Sequence, residues 1–517
     1  MHDLKTAIID IGSNTIRLVL YHYEKEQGLR ELGNIKTVAR LRTYILPSGE
    51  MSEEGIQVLT DTLLTFKAML DDFEIVDVKA VATAAIRQAT NRDQIITQMK
   101  ERIGIQIELL TGEEEAYFGY MAVAYSMGTP SAVTIDIGGG STEITIFKDK
   151  QILKTHSFPF GTVSLKQHFV KGDILNSSER KALIAFVKEQ FMSLPWIQGV
   201  QLPIIAIGGS ARNIAQIHQQ QCKYPIASIH GYEIPKQDLE ELSNYLGSMS
   251  FDGLKQLDGL STDRADIIVP ALEVFIVLME VVQSEVFQLT KKGLREGLIL
   301  QRILDNDEQA FDKFNVFEGN VRRLARQYGR SEVEVDYLMN LAEQLYKECC
   351  HLNYLTFNDE DLQLIRKAAK VFNLGEYIEL SSASQHTFYL IANQSIEGLN
   401  HKERVQLALL ASYKNKDYYQ RFASPFVGWM NREEYRKTRD FGAVLKFVYA
   451  LNVSKRNIVS SIKMQKDNGF ARLDIFVKKN VAAERYQVER HKKHLERAIK
   501  TTIKINFIEE GWKQDDN

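Results

Sequence analysis

The chain has 517 residues, 44% hydrophobic and 25% charged, with a net charge of -3. That length exceeds one ordinary hydrophobic core and predicts two to four domains, while the balanced charge of a globular composition gives no sign of a nucleic-acid or membrane partner. Cys222, Cys349 and Cys350 are scattered or adjacent, which predicts a reducing, cytoplasmic setting with no disulfide framework and no zinc site.

The N-terminus, MHDLKTAIIDIG, passes into a strand without the apolar segment of a signal peptide. AIID and RLVLY read as strands around the turn GSNT. A helix follows within Glu53 to Phe73, then a strand in VKAVATAA, a helix in NRDQIITQMKERIG and a strand in IQIELL. GEEEAYFGYMAVAYSMG opens a helix with acids in its first turn, where they suit the dipole. Then the opening pattern returns: IDIGSNTIRLVL at Ile9 to Leu20 and IDIGGGSTEITI at Ile135 to Ile146 share strand, Asp, Gly, small polar residues and strand, 126 positions apart. A period that long does not suit a solenoid and fits a duplicated α/β lobe.

A strand at Pro203 to Ile207, the turn GGSARN and helical sequence through Leu300 complete the second lobe. Val269 to Val282, with Glu273 and Glu280, is too short to span a bilayer and reads as a buried helix. From Phe311 to Asn415 the texture is helical, and near the end NIVSSIKMQ, ARLDIFVKK and IKINFIEE read as strands, with a helix between the last two. The predicted domains are two lobes, 1–125 and 126–304, a helical domain, 305–423, and a small α/β domain, 424–517.

The turn at Gly138 to Gly140 is not a P-loop, which ends in Lys-Ser/Thr before a helix, nor a Rossmann fingerprint, which also opens a helix; here STEITIF alternates as a strand. It predicts a hairpin whose glycines bring backbone N–H groups to an anion, with Ser141 and Thr142 adding hydroxyls. An ordinary tight turn uses the same residues, but two copies with Asp at the same place suggest opposed turns that clamp a phosphate chain. Asp136, unsuited to greet phosphate, suits a cation or its waters, which points to metal-assisted phosphoryl chemistry. Arg87 could reach such a cleft or cap a helix on the surface. Glu113, Glu114 and Glu115 offer a general base, and GGSARN is a turn of the anion-binding or close-packing sort.

DIGSNTIRL, ATAAIRQATN, TGEEEA, DIGGGSTE, GGSARN, HGYEI, RADIIVPA and GLREGL occur in this order, and the chain over Lys5 to Arg302 closely resembles the exopolyphosphatase and guanosine pentaphosphate phosphohydrolase family. The resemblance implies the α/β fold of the actin, sugar-kinase and heat-shock ATPase superfamily: two ribonuclease H-like lobes, followed by an α-helical HD-like domain and a small C-terminal α/β domain. It implies processive release of orthophosphate from inorganic polyphosphate, with magnesium as the ion. Glu115 matches the catalytic base and Arg87 an arginine on the substrate phosphates. Asp136, Glu143 and Asp10 match the metal-side carboxylates. Gly12, Ser13, Asn14 and Arg17 match one phosphate loop, Gly138, Gly139, Gly140 and Ser141 the other, and Gly208, Gly209 and Ser210 the third turn. A homodimer rests on the resemblance alone.

In the helical domain the His-acid pair of metal-dependent HD hydrolases is missing around Val371 to Asn373, leaving His386, so the domain reads as a scaffold for dimerisation or chain binding. VERHKKHLERAIK reads as a solvated, mixed-charge helix face, or else as part of a channel for a long polyanion. A guanosine pentaphosphate 5'-phosphatase shares the same motifs. A non-catalytic polyanion or nucleotide sensor is disfavoured by the intact Glu115, Asp136 and Glu143, and a sugar kinase by the absence of an adenosine-binding segment.

Overall fold

The apolar run TAIIDI lies in β1 (Asp3–Ile11), where Ala7 to Ile9 are fully buried, as a central strand must be. The computed structural model describes residues 3–25, 27–478 and 480–510. β1 pairs antiparallel with β2 (Thr15–Glu24), which pairs antiparallel with β3 (Gly28–Val38). On its other side β1 runs parallel to β4 (Val78–Ala82), itself parallel to β5 (Ile107–Leu109). The sheet order is β3-β2-β1-β4-β5.

The second sheet repeats that plan. It is built from β6 (Ala132–Ile137), β7 (Thr142–Lys148), β8 (Gln151–Phe158), β9 (Ile204–Ile207), β10 (Glu233–Pro235) and β11 (Val286–Leu289), in the order β10-β11-β9-β6-β7-β8. Read from the hairpin side, β8-β7-β6-β9-β11 reproduces the first sheet strand for strand and direction for direction, with β10 added antiparallel at the edge. The duplication read from the two hairpin motifs is therefore a duplication of the whole lobe. The edge strands β3 and β8 are absent from the sequence reading, because GLRELGNIKTV and QILKTHSF carry mixed, largely exposed residues rather than an apolar run.

The helices follow their amphipathic patterns. Glu53–Asp72 starts at Ser52, whose side chain accepts from Gly55 N, carries Glu53 and Glu54 in its first turn, and buries Leu59, Leu63, Phe66 and Leu70 along one stripe. Ile268–Val282 is buried at every position except Glu280, as its sequence predicts. Its buried Glu273 is held by Arg180 at 2.8 Å and by the Ser243 hydroxyl, the pairing a carboxylate needs inside a core. Among the described residues no helix is long and apolar enough to cross a membrane, and the three cysteines are free thiols.

The chain divides into two compact units, Met1–Val316 and Phe317–Asn517. The first therefore runs beyond the predicted edge at 304, because Phe311 packs on Tyr23 of β2 with ring centroids 6.0 Å apart. Both lobes lie within it.

The second unit begins with helices, among them Glu332–His351, Asp359–Val371, Ala383–Asn393, His401–Ala411 and Arg432–Ala450. It ends in β12 (Val459–Asp467), β13 (Phe470–Val477) and β14 (Thr502–Glu509), with the predicted helix, Ala482–Ile499, crossing over between the parallel β13 and β14. The predicted edge at 424 is not a break: Arg432–Ala450 buries Phe441, Val444, Leu445 and Val448 and packs against both the helical layer and Ala482–Ile499. At the positions where the HD pair is missing, the carbonyl of Phe372 accepts from the buried Arg330 guanidinium at 2.8 Å. On Ala482–Ile499, Lys492 pairs with Glu489 at 2.6 Å, in keeping with a mixed-charge face.

Candidate active site

The turns leaving β1 and β6 touch. A Cβ added to Gly139 would lie 2.9 Å from Ser13 Cβ, and one on Gly140 3.0 Å from Ser13 Oγ, so the glycines are what allows the two backbones to approach. Each turn is closed by the same bond at the same place in the repeat: Gly12 N donates to Thr15 O at 3.1 Å and Gly138 N to Ser141 O at 2.9 Å. Beside this contact lies a cleft of about 140 Å³. It is lined by Asp10, Gly12, Ser13, Asn14 and Arg17 from the first lobe, Asp136, Gly138, Gly139, Ser141, Glu143, Gly208 and Gly209 from the second, and Glu115.

The register sets the charges. Asp136 and Glu143 are direct cross-strand partners, and at the equivalent positions of the first hairpin Asp10 faces Arg17. Burial pushes the Asp136 carboxyl up to about 6, with Arg212 pulling it down and Asp10 adding to the rise. Burial also drives Glu143 well above the usual carboxylate range, reinforced by Glu115 and Asp136; Ser157 Oγ donates to it at 2.9 Å. Gly208 turns with φ +95°, and a Cβ there would stand 2.7 Å from Asp136 Oδ1.

Glu115 sits in the first turn of the Gly112–Ala124 helix. Its neighbour Glu114 is consumed by the capping box, accepting from Thr111 N at 2.8 Å while Thr111 Oγ1 accepts from Glu114 N. Glu113 is exposed. Glu115 instead faces the cleft and is ion-paired with Arg87. Burial raises its carboxyl to about 7 despite the opposing pull of Arg87.

Three predicted residues stand elsewhere. Arg87 does not line the cleft; it donates to Leu110 O at 2.6 Å and holds Glu115 from behind. Gly140 is taken up by the contact between turns, and Ser210 accepts from Arg264 Nη1 at 3.1 Å beneath the third turn. Asp10 lines the cleft but spends one oxygen on Arg295, 2.9 Å away.

The sequence reading missed four cations in the lining, Arg212, Arg264, Lys292 and Arg295. The arginines fall in GGSARN, RADIIVPA and GLREGL, motifs whose arginines carry no role in the sequence reading; their signal is one arginine in each. Burial lowers Arg212 to about 10, with Arg295 next in effect, which leaves it charged at neutral pH. With Arg17 the cleft holds five cationic groups against four carboxylates. Asn14 Nδ2 and Arg295 Nε are buried donors without a hydrogen-bond partner among the described residues, and unfilled donors of this kind suit a polyanionic ligand.

Among the described residues no group of three or more His, Cys, Asp or Glu side chains is disposed to hold a metal ion by itself. Magnesium does not need such a cage: it keeps several waters and uses one or two carboxylates together with substrate phosphate oxygens. The cross-strand pair Asp136 and Glu143 fits that donor set.

The family model described as the Ppx/GppA phosphatase family matches residues 21–306, more than half of the chain, and that of Ppx/GppA phosphatase, domain III, matches 316–498. The guanosine-5'-triphosphate,3'-diphosphate pyrophosphatase of Aeromonas hydrophila is 26% identical over 412 residues, covering 78% of this chain and 79% of its own. Among solved structures, a Ppx/GppA family member from Aquifex aeolicus aligns with a TM-score of 0.52 at 25% identity, covering 59% of this chain and 99% of its own. An exopolyphosphatase from Cytophaga hutchinsonii aligns with a TM-score of 0.54 at 24% identity, over 59% of this chain and 98% of its own, a likeness of fold. The duplicated sheets, the opposed glycine turns and these matches agree: the chain belongs to the Ppx/GppA phosphatase family, hydrolases of phosphoanhydride bonds on the actin-like ATPase fold.

Proposed function

We propose that the protein is a magnesium-dependent exopolyphosphatase, which removes orthophosphate from the end of inorganic polyphosphate. The observation that carries this reading is the lining of the cleft: five cationic side chains and two glycine turns and, among the described residues, no aromatic side chain on which a base could stack. The terminal phosphate lies in the cleft beside the contact between the turns, its oxygens meeting backbone N–H groups of both, with Ser13 and Ser141 adding hydroxyls. Glu115 accepts a proton from the attacking water, the new P–O bond forms, and the bridging P–O bond breaks with its electron pair leaving on the shortened chain. Arg87 keeps Glu115 in place, and Arg264, Arg212 and Arg295 balance the charge on the phosphoryl oxygens. Magnesium held by Asp136 and Glu143 would neutralise phosphate charge when bound.

Guanosine pentaphosphate 5'-phosphatase activity is the second reading, favoured by the names of the curated relatives. Phosphate release from long-chain polyphosphate, guanosine pentaphosphate and simple nucleotides, compared by kcat/KM, separates the two. Polyphosphate is expected to be the best substrate, and a clear preference for guanosine pentaphosphate overturns the first reading. Glu115→Gln is expected to lower release by about 10²–10⁴-fold while polyphosphate still binds; wild-type turnover in it removes Glu115 from the mechanism. A homodimer and a cytoplasmic location belong to the same reading.

A further inference from the structure

The segment that delivers Arg264 to the cleft is gripped from the opposite lobe. Arg264 ends the short turn Thr262–Arg264 of the second lobe. Lys36 Nζ, on β3 of the first lobe, lies 2.8 Å from Asp263 Oδ2. Arg40 Nη1 lies 3.2 Å from Asp266 Oδ2, and Arg40 Nη2 donates to the Asp263 carbonyl at 3.1 Å. Lys166 of the second lobe holds the same Asp266 oxygen at 2.7 Å. Arg264 is thus bracketed in sequence by two carboxylates, each tied to a first-lobe cation.

The other end of Arg40 is equally constrained. It is a non-glycine residue with φ 45°, a conformation kept only where the surroundings enforce it. Here its N–H donates to Asn14 O at 2.8 Å, that of Ala39 to the same oxygen at 3.1 Å, and that of Arg42 to Ser13 O at 3.1 Å. Arg40 therefore joins the first glycine turn, through its backbone, to the Arg264 segment, through its side chain. Lys36 is the cross-strand partner of Arg17, so the second tie also starts beside a cleft residue. Arg17 and Arg264 repel, and Asp263 attracts both.

We infer that Lys36 and Arg40 are positioning residues for Arg264: by binding Asp263 and Asp266 from the first lobe they fix the second-lobe segment that delivers Arg264 to the cleft. The inference rests on the reading of the cleft as a phosphate-chain site. Losing the ties leaves the turns and Glu115 intact but lets Arg264 withdraw, so substrate binding weakens more than the chemical step.

The test is the split between KM and kcat for phosphate release from polyphosphate in K36Q, R40Q, K36R, R264Q and the double variant K36Q/R264Q. Lys36 has a side chain 28% exposed, and its replacement leaves no buried cavity. K36Q and R40Q are expected to raise KM about three- to tenfold with kcat within about twofold, K36R to restore it, and K36Q to add nothing in the R264Q background, since two residues acting through one contact are not additive. Wild-type KM in K36Q and R40Q, or the full K36Q effect persisting without Arg264, overturns the inference while R264Q still reports on the cleft. Wild-type KM in R264Q itself overturns the reading of the cleft and the inference with it.

Discussion

The Arg87 guanidinium and the Glu115 carboxylate form an ion pair between the short helix Ala84–Arg87 after β4 and the first turn of the Gly112–Ala124 helix. Burial raises Glu115 to about 7 and Arg87 opposes that rise. A general base works only in its ionised form, so the acidic limb of kcat/KM is expected near neutral pH rather than near the usual carboxylate range. Removing the opposing charge in Arg87→Gln raises the pKa further and moves the limb to higher pH. The pH–rate profiles of the two proteins check this, and an unmoved limb assigns Arg87 no part in tuning Glu115.

Asp136 and Glu143 face each other across the β6–β7 ladder. Asp136→Asn keeps the shape and removes the charge, so the magnesium concentration for half-maximal phosphate release is expected to rise by about tenfold or more. A magnesium titration measures it. Chelation should stop release in the wild type and added magnesium restore it.

Gly208→Ala combines a positive φ with a Cβ 2.7 Å from Asp136 Oδ1. It is expected to cost about 1–3 kcal/mol of stability and to displace Asp136, with activity falling more than the loss of folded protein explains. Denaturant unfolding together with activity per folded molecule gives both quantities; a variant as stable and active as the wild type contradicts the turn geometry.

Lys150 ends the hairpin turn between β7 and β8, where Asp149 and Lys150 both have positive φ. Its buried ammonium donates to Ala124 O at 3.0 Å and Met127 O at 2.6 Å, at the far end of the helix that carries Glu115. Burial lowers its pKa from 10.5 to about 8, with a smaller contribution from Lys313. Between those values the unfolded chain binds more protons than the folded one, so this group makes the protein more stable as pH rises from about 8 to 10.5, by about 2–3 kcal/mol in all. Lys150→Met should lack that rise. Urea unfolding of both proteins at pH 7.5 and pH 10 reads it as a change in their stability difference, and an unchanged difference contradicts it.

The hairpins, the duplication and most of the cleft were legible because their signals are local: Asp, glycine and hydroxyl residues between apolar strands, printed twice. What was not legible depends on tertiary contact. Gly139 and Gly140 sit side by side in sequence and both pack on Ser13, yet Gly139 lines the cleft and Gly140 does not. Arg87 and Arg264 both look like phosphate arginines, but one holds Glu115 and the other meets the cleft. Asp10 and Asp136 occupy equivalent positions, yet Asp10 has Arg295 2.9 Å away while Asp136 faces Glu143 across the ladder. The edge strands β3 and β8 and the helix Arg432–Ala450 were placed by partners far away in sequence, which periodicity alone does not reveal.

The repeat keeps the backbone pairing of the hairpins and changes the sign of charge at one cleft position: where the second hairpin carries Glu143, the first carries Arg17. Two identical lobes would present a substrate with a twofold-symmetric cavity, indifferent to which way round a chain lies. A cation on one side and a carboxylate on the other remove that symmetry, so the two sides of the cleft are chemically distinct and a bound phosphate meets each of them differently.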